Sequence, residues 1–230
     1  MQQLAENLAA VRRSIHEAAL RAHRNPSEIT LLGVTKTVGP DVIREAIRLG
    51  LTDLGENRVQ EAVAKMDELA EYPANWHLIG QLQTNKVKYV LGRVHLIHSL
   101  DRLSLAREIQ KRSARAGIVT DCLVEVNIAG EASKAGLAPD EVEEFVQTVV
   151  SECPQIRIRG LMTVAPYEAD PEKVRPCFRQ MRMLAGQLRE LPGVSMEHLS
   201  MGMSNDYPIA IAEGATIVRV GTAIFGRRES

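Results

Sequence analysis

Cysteine is scarce in this chain. Cys122, Cys153 and Cys177 are its only thiols, they are scattered and odd in number, and no pair has metal-ligand spacing. A disulfide framework and a zinc ribbon are therefore excluded, and the expected setting is a reducing compartment, the cytoplasm. Long apolar runs are missing too: none approaches the ~20 residues of a membrane helix. Glu6, Arg12, Arg13 and Glu17 interrupt the N-terminal stretch, which excludes a secretory leader. There is no excess of either charge: the formal net charge is -1, so neither nucleic acid nor an anionic membrane is expected as an obligatory partner. The sequence contains no Gly-x-Gly-x-x-Gly after a strand, no Walker loop, no Cys-x-x-Cys, no His-Glu-x-x-His and no Gly-x-Ser-x-Gly elbow.

What is present is an ordinary globular composition, 45% hydrophobic and 25% charged over 230 residues, enough for one large core. No low-complexity linker or charge block divides it, so residues 1–230 are read as a single domain. Leu4, Leu8, Val11, Ile15 and Ala19 recur at helical spacing and predict an N-terminal helix. Strand-like runs then alternate with amphipathic stretches. The runs are Thr30–Thr35, Thr52–Gly55, Trp76–Gly80, Val94–His98, Asp121–Asn127, Arg157–Met162, Ser195–Leu199 and Thr216–Val220. Pro40 opens one helix and Gly50 ends it; Asp101 is read as an N-cap and Gly117 as a stop. Strict β–α alternation over eight units predicts an α/β fold, a closed (β/α)8 TIM barrel preceded by a helix; an open doubly wound sheet is the other topology the pattern allows.

In a barrel, ligands sit at the C-terminal strand ends. There the sequence places Lys36, Glu56-Asn57, Gly80-Gln81, His98-Ser99, Asn127, Met162-Thr163, Ser200 and Gly221-Thr222. Lys36 ends an apolar strand, where partial burial would favour an uncharged, nucleophilic amine; a solvated loop lysine would look the same. Leu199-Ser200-Met201-Gly202-Met203-Ser204 and Val218-Arg219-Val220-Gly221-Thr222 follow the last two strands. Small residues in those loops suit an anion, and phosphate sites in barrels are often built there. Ser204 or Asn205 could equally cap a helix. Arg219, inside a strand, would need an acceptor if it faces inward. Asn57 could cap or bind. His77, between Trp76 and Leu78, could point into the barrel.

Val34-Thr35-Lys36-Thr37, Gly55-Glu56-Asn57-Arg58-Val59-Gln60-Glu61, Trp76-His77-Leu78-Ile79-Gly80-Gln81-Leu82-Gln83-Thr84-Asn85-Lys86, Leu199-Ser200-Met201-Gly202-Met203-Ser204 and Arg219-Val220-Gly221-Thr222-Ala223-Ile224-Phe225-Gly226 stand in order. With these motifs the chain resembles, nearly end to end, the pyridoxal phosphate homeostasis proteins, which look like the N-terminal barrel of alanine racemase standing alone. Thr35 and Val38-Gly39 depart from the serine and lysine-proline pair expected there. The resemblance implies pyridoxal 5′-phosphate held as an internal aldimine on Lys36. It implies a phosphate held by Ser200, Gly221 and Thr222, Arg219 at the pyridine nitrogen or phosphate edge, and Asn57 as a lesser contact. It also implies a role in vitamin B6 balance without catalytic turnover. An arginine at the ring nitrogen disfavours its protonation, and Arg227-Arg228-Glu229-Ser230 leave no room for a second domain carrying the opposing acid or base. The alternative is a pyridoxal-dependent racemase or lyase with Tyr207 or His77 as second proton-transfer group; a Schiff-base aldolase is a third reading. The expected partners are the cofactor and free amino acids, and the expected state is a monomer.

Overall fold

In the computed structural model, which describes residues 2–131, 134–168 and 170–226, eight parallel strands among the described residues close on one another in chain order. They are β1 (Thr30–Val34), β2 (Asp53–Glu56), β3 (Asn75–Leu78), β4 (Leu96–Leu100), β5 (Thr120–Glu125), β6 (Ile156–Met162), β7 (His198–Ser200) and β8 (Ile217–Val220). The ring closes through β1 and β8, with Leu32 opposite Arg219 on one side and opposite Asp53 on the other. The barrel expected from the alternation is the one observed, and the open sheet is not.

Helices surround it: α1 (Gln2–Arg21), α2 (Pro40–Arg48), α3 (Val59–Glu68), α4 (Val87–Val90), α5 (Leu103–Ala116), α6 (Val142–Glu152), α7 (Arg175–Leu188), α8 (Tyr207–Ala212) and α9 (Thr222–Phe225). The stripe of α1 is buried. α1 packs on α8 and α9, where Asn7 Nδ2 donates to the Ile224 carbonyl at 3.0 Å. Arg24, just beyond α1, donates to the carbonyls of Ile211 and Ala215 at the end of α8. The leading helix thus covers the flank beside β8, which among the described residues is followed by the short α9. None of the described helices is long and apolar enough to cross a membrane.

Several strand ends moved, each for a local reason. β4 begins at Leu96, because Val94 still bonds back to the Val90 carbonyl in the turn that follows α4. β5 ends at Glu125; Val126 then pairs with Leu137, and Asn127 ties its own loop through Glu131 and Lys134. β7 runs only from His198 to Ser200. Asp101 does not cap α5, which starts at Leu103 after Arg102; Asp101 instead takes a 2.6 Å bond from the Arg102 guanidinium. Gly117 does end that helix, in the left-handed conformation that glycine adopts without strain.

Successive strand residues point to opposite faces. Leu32, Val34, Leu96, Leu123, Met162 and Ile217 form a small apolar cluster of their own, apart from the large core under the helices. Beside it lie polar side chains with little or no exposure: His77, His98, Ser200 and Arg219. A barrel interior is ordinarily filled by branched aliphatics, and these four buried polar side chains depart from that pattern.

Candidate functional site

Lys36 is the second residue past β1. The turn that carries it is held from both sides by α3. Lys65 is 6% exposed, and its ammonium donates to the Thr35 carbonyl, to Glu56 Oε1 and to Glu61 Oε1, each at 2.7 Å. Glu61 Oε1 in turn accepts from the Thr37 amide at 2.6 Å, and the Thr35 hydroxyl donates to Glu56 at 2.5 Å. Thr37 sits at φ +64°, uncommon for a threonine. Burial raises the Glu56 carboxyl above its ordinary range, Lys65 and Thr35 pulling it back only in part.

Lys36 lines a cavity of about 390 Å³ at the C-terminal barrel mouth, together with Val34, Tyr167, Met203, Ser204, Asp206, Arg219, Gly221 and Thr222. That volume is in the range of small-molecule sites. Arg219 projects inward from β8 and is 4% exposed. Its Nη1 donates to the Ser200 carbonyl at 2.7 Å and the Ser200 hydroxyl at 2.6 Å; its Nη2 donates to the Thr163 carbonyl at 2.6 Å. Burial pushes the guanidinium down to about 10, opposed by the charges of Glu125 and Asp206, so it remains a cation at neutral pH. Three of its five hydrogens are used, which leaves two for the cavity.

The loops after β7 and β8 meet at this wall. Gly202, at φ +93°, lets the first loop turn, and its carbonyl accepts from the Arg219 amide at 2.9 Å. Ser204 Oγ lies 3.4 Å from the Ala223 amide and joins that loop to the start of α9. A Cβ on Gly221 would stand 3.3 Å from both Cβ and the carbonyl oxygen of Val34. The backbone therefore comes close to β1 there, where an added Cβ would press on Val34.

Of the residues nominated from sequence, Lys36, Arg219, Gly221 and Thr222 share the cavity. Ser200 does not reach its wall: its hydroxyl is taken by Arg219 and by His98 Nδ1 at 3.0 Å. Ser204, read only as a possible helix cap, occupies the wall instead; Asp206 precedes α8 without a side-chain cap bond to it, and its carboxylate turns back to accept from the Met203 amide at 2.6 Å. Asn57 is not on the wall; its buried Oδ1 has no hydrogen-bond partner. His77 does point inward, bonded to His98 and Asp53. Neither His77 nor Tyr207 lines the cavity. Sequence reading missed the Lys65 clamp, although Glu61 and Lys65 stand four apart on one helical face, a spacing that pairs them.

The donor set fits pyridoxal 5′-phosphate. One primary amine suits an aldehyde. Two hydroxyls and a glycine cradle suit an anionic tail, and a buried guanidinium suits a ring acceptor or phosphate oxygen.

A closed barrel of this architecture with a lysine just beyond its first strand defines a class. Residues 1–229 match the family model described as alanine racemase, N-terminal domain. The chain belongs to the pyridoxal phosphate homeostasis proteins of that class. It is 50% identical to the protein of that name from Aquifex aeolicus over 97% of this chain and 98% of the relative. It is 42% identical to the one from Pseudomonas aeruginosa, over 100% and 97%. Among solved structures it is similar to PipY of Synechococcus elongatus with PLP bound, at 35% identity, TM-score 0.84, over 97% of this chain and 100% of that one. An alanine racemase from Clostridium difficile shares the fold at 16% identity, TM-score 0.76, with 58% of its length covered.

Proposed function

We propose that this chain binds pyridoxal 5′-phosphate in the cavity at the C-terminal barrel mouth and serves vitamin B6 homeostasis as a carrier, without turning over a substrate. The observation that carries this reading is the convergence on one cavity of the Lys36 amine, the buried Arg219 cation and the Ser204–Gly221–Thr222 wall. When bound, the cofactor supplies an aldehyde that condenses with amines and a ring that withdraws electrons.

Lys36 is the amine that would hold the cofactor through its aldehyde. The α3 clamp orients it by holding the peptides on either side. Ser204, Gly221 and Thr222 receive the phosphate; Ser200 is assigned to orienting Arg219. With the ring held on the Arg219 side of the cavity, that cation would disfavour protonation of the ring nitrogen and so weaken electron withdrawal. Tyr167, at the cavity edge, is 83% exposed, and its hydroxyl has no hydrogen-bond partner among the described residues. An exposed phenol that no partner positions is a poor second acid. These features support a carrier over a racemase or lyase. We further infer a cytoplasmic monomer of one domain, with free amino acids as competing amines; its free cysteines support a reducing compartment.

The test is an absorbance spectrum of purified protein with added cofactor. A yellow protein is expected, with the colour absent in Lys36→Ala and, after borohydride reduction, the added mass on Lys36. A wild type that stays colourless overturns the reading. Rapid exchange of an amino acid's α-proton in deuterated water, lost in Lys36→Ala, would replace the carrier with an enzyme.

A further inference from the structure

A line of side chains crosses the barrel interior from one end to the other. Arg219 Nη1 meets Ser200 Oγ at 2.6 Å, and Ser200 Oγ meets His98 Nδ1 at 3.0 Å. His98 Nε2 meets His77 Nδ1 at 3.0 Å, and His77 Nε2 meets Asp53 Oδ1 at 3.2 Å. Asp53 begins β2 at the N-terminal barrel end. There it lines a second cavity of about 340 Å³ with Arg12, His16, Thr30 and Thr52.

The chemistry gives this line one direction. An arginine only donates, so the Ser200 oxygen accepts from it. The single serine hydrogen then has one acceptor in reach, His98 Nδ1. Were that nitrogen protonated instead, the serine hydrogen would be stranded in a fully buried place, at the cost of an unmade hydrogen bond. His98 therefore carries its hydrogen on Nε2 and donates to His77 Nδ1. By the same step His77 carries its hydrogen on Nε2 and donates to Asp53, which, as a carboxylate, only accepts. Burial, with His77, Arg219, His198 and His95 around it, keeps His98 neutral; burial and His95 do the same for His77, against Asp53.

We propose that Asp53, His77 and His98 are positioning residues of the cofactor cavity at the opposite barrel end. Their one-way hydrogen-bond line holds the Ser200 hydroxyl as an acceptor and so selects which guanidinium hydrogens of Arg219 face the ligand. The proposal rests on the cofactor reading above for the identity of that ligand. It places part of the determinant of cofactor grip on the barrel face that the cofactor does not touch.

The first test needs no ligand. Two-bond ¹H–¹⁵N spectra of ¹⁵N-histidine-labelled protein at neutral pH should show His77 and His98 uncharged with the hydrogen on Nε2. A hydrogen on Nδ1 of either ring, or a charged ring, overturns the line. The second is pyridoxal 5′-phosphate affinity by absorbance titration. His98→Leu should weaken it about tenfold or more, and Asp53→Ala should weaken it more than Asp53→Asn, whose amide oxygen can still accept from His77. Folded variants that bind as tightly as wild type overturn the positioning role. If His98→Leu does not fold, the Asp53 pair and the spectra decide. A wild type that shows the expected tautomers but binds no cofactor overturns the ligand assignment and leaves the line itself intact.

Discussion

Lys65 holds the residue that precedes Lys36: its ammonium lies 2.7 Å from the Thr35 carbonyl oxygen, inside a fully formed contact set with Glu56 and Glu61. A buried cation thus fixes the peptide that precedes Lys36. Lys65→Met would leave the Glu56 carboxylate buried without its partner, a change that costs about 3 kcal/mol or more. Urea unfolding should show that loss. The double variant Lys65→Met/Glu56→Gln should be more stable than the single one, because no orphaned charge remains.

Ser200, which ends β7, and Ser204, in the loop after it, should separate. Ser204→Ala is expected to weaken pyridoxal 5′-phosphate binding with a change in stability of about 0.5 kcal/mol or less, as for a partly exposed group. Ser200→Ala removes an acceptor from buried Arg219 and a donor from His98, so it should cost about 1–3 kcal/mol of stability as well. Paired cofactor titrations and urea midpoints distinguish the two patterns; equal stability losses would contradict the separation.

Glu125, at the end of β5, is pushed up to about 7 by burial and by the charge of Asp101, with Arg219 opposing; its Oε2 has no partner. A carboxyl whose folded pKa is raised binds a proton that the unfolded chain has already released. Its contribution is therefore complete below the ordinary value of 4.5 and is lost as pH rises to about 7. The loss amounts to about 3 kcal/mol. Glu125→Gln should remove this slope. His77 and His98 act in the opposite sense: lowered in the folded state, they destabilise as pH falls below about 6.5, where the unfolded chain charges first. The difference between wild type and Glu125→Gln in urea midpoints from pH 4 to 8 isolates the carboxyl.

Two glycine substitutions should differ in sign. Gly202 has φ +93°, and a Cβ there would stand 2.6 Å from Ala210 Cβ and 2.9 Å from Tyr207 Cα. Gly202→Ala should cost about 2 kcal/mol or more and loosen the cavity wall. Gly186 lies within α7 with nothing within 4 Å of an added Cβ. Gly186→Ala should gain about 0.5–1 kcal/mol through helix propensity. Thermal or urea unfolding of the two proteins checks both.

Read from sequence, the β–α alternation placed all eight strands, because apolar runs and helical stripes are local signals set by periods of two and 3.6 residues. Pro40 at the head of α2 and Gly117 at the tail of α5 are equally local, since one lacks an amide hydrogen and the other a Cβ. Lys36, Gly221 and Thr222 could be nominated because strand ends in a barrel face one rim, and Arg219 because alternation along the last strand could turn it inward.

The tertiary structure alone decided which neighbour each polar side chain meets. Ser200 and Ser204 are four residues apart and chemically identical. One faces inward at the end of β7, where Arg219 and His98 claim it; the other lies beyond the Gly202 turn, on the cavity wall. His98 and Ser200, 102 positions apart, meet only because ring closure brings β4 and β7 across from each other. Local patterning determined where the strands and helices lie; long-range closure determined the hydrogen-bond partners, because a partner depends on side-chain direction and distance across the barrel, which no local period encodes.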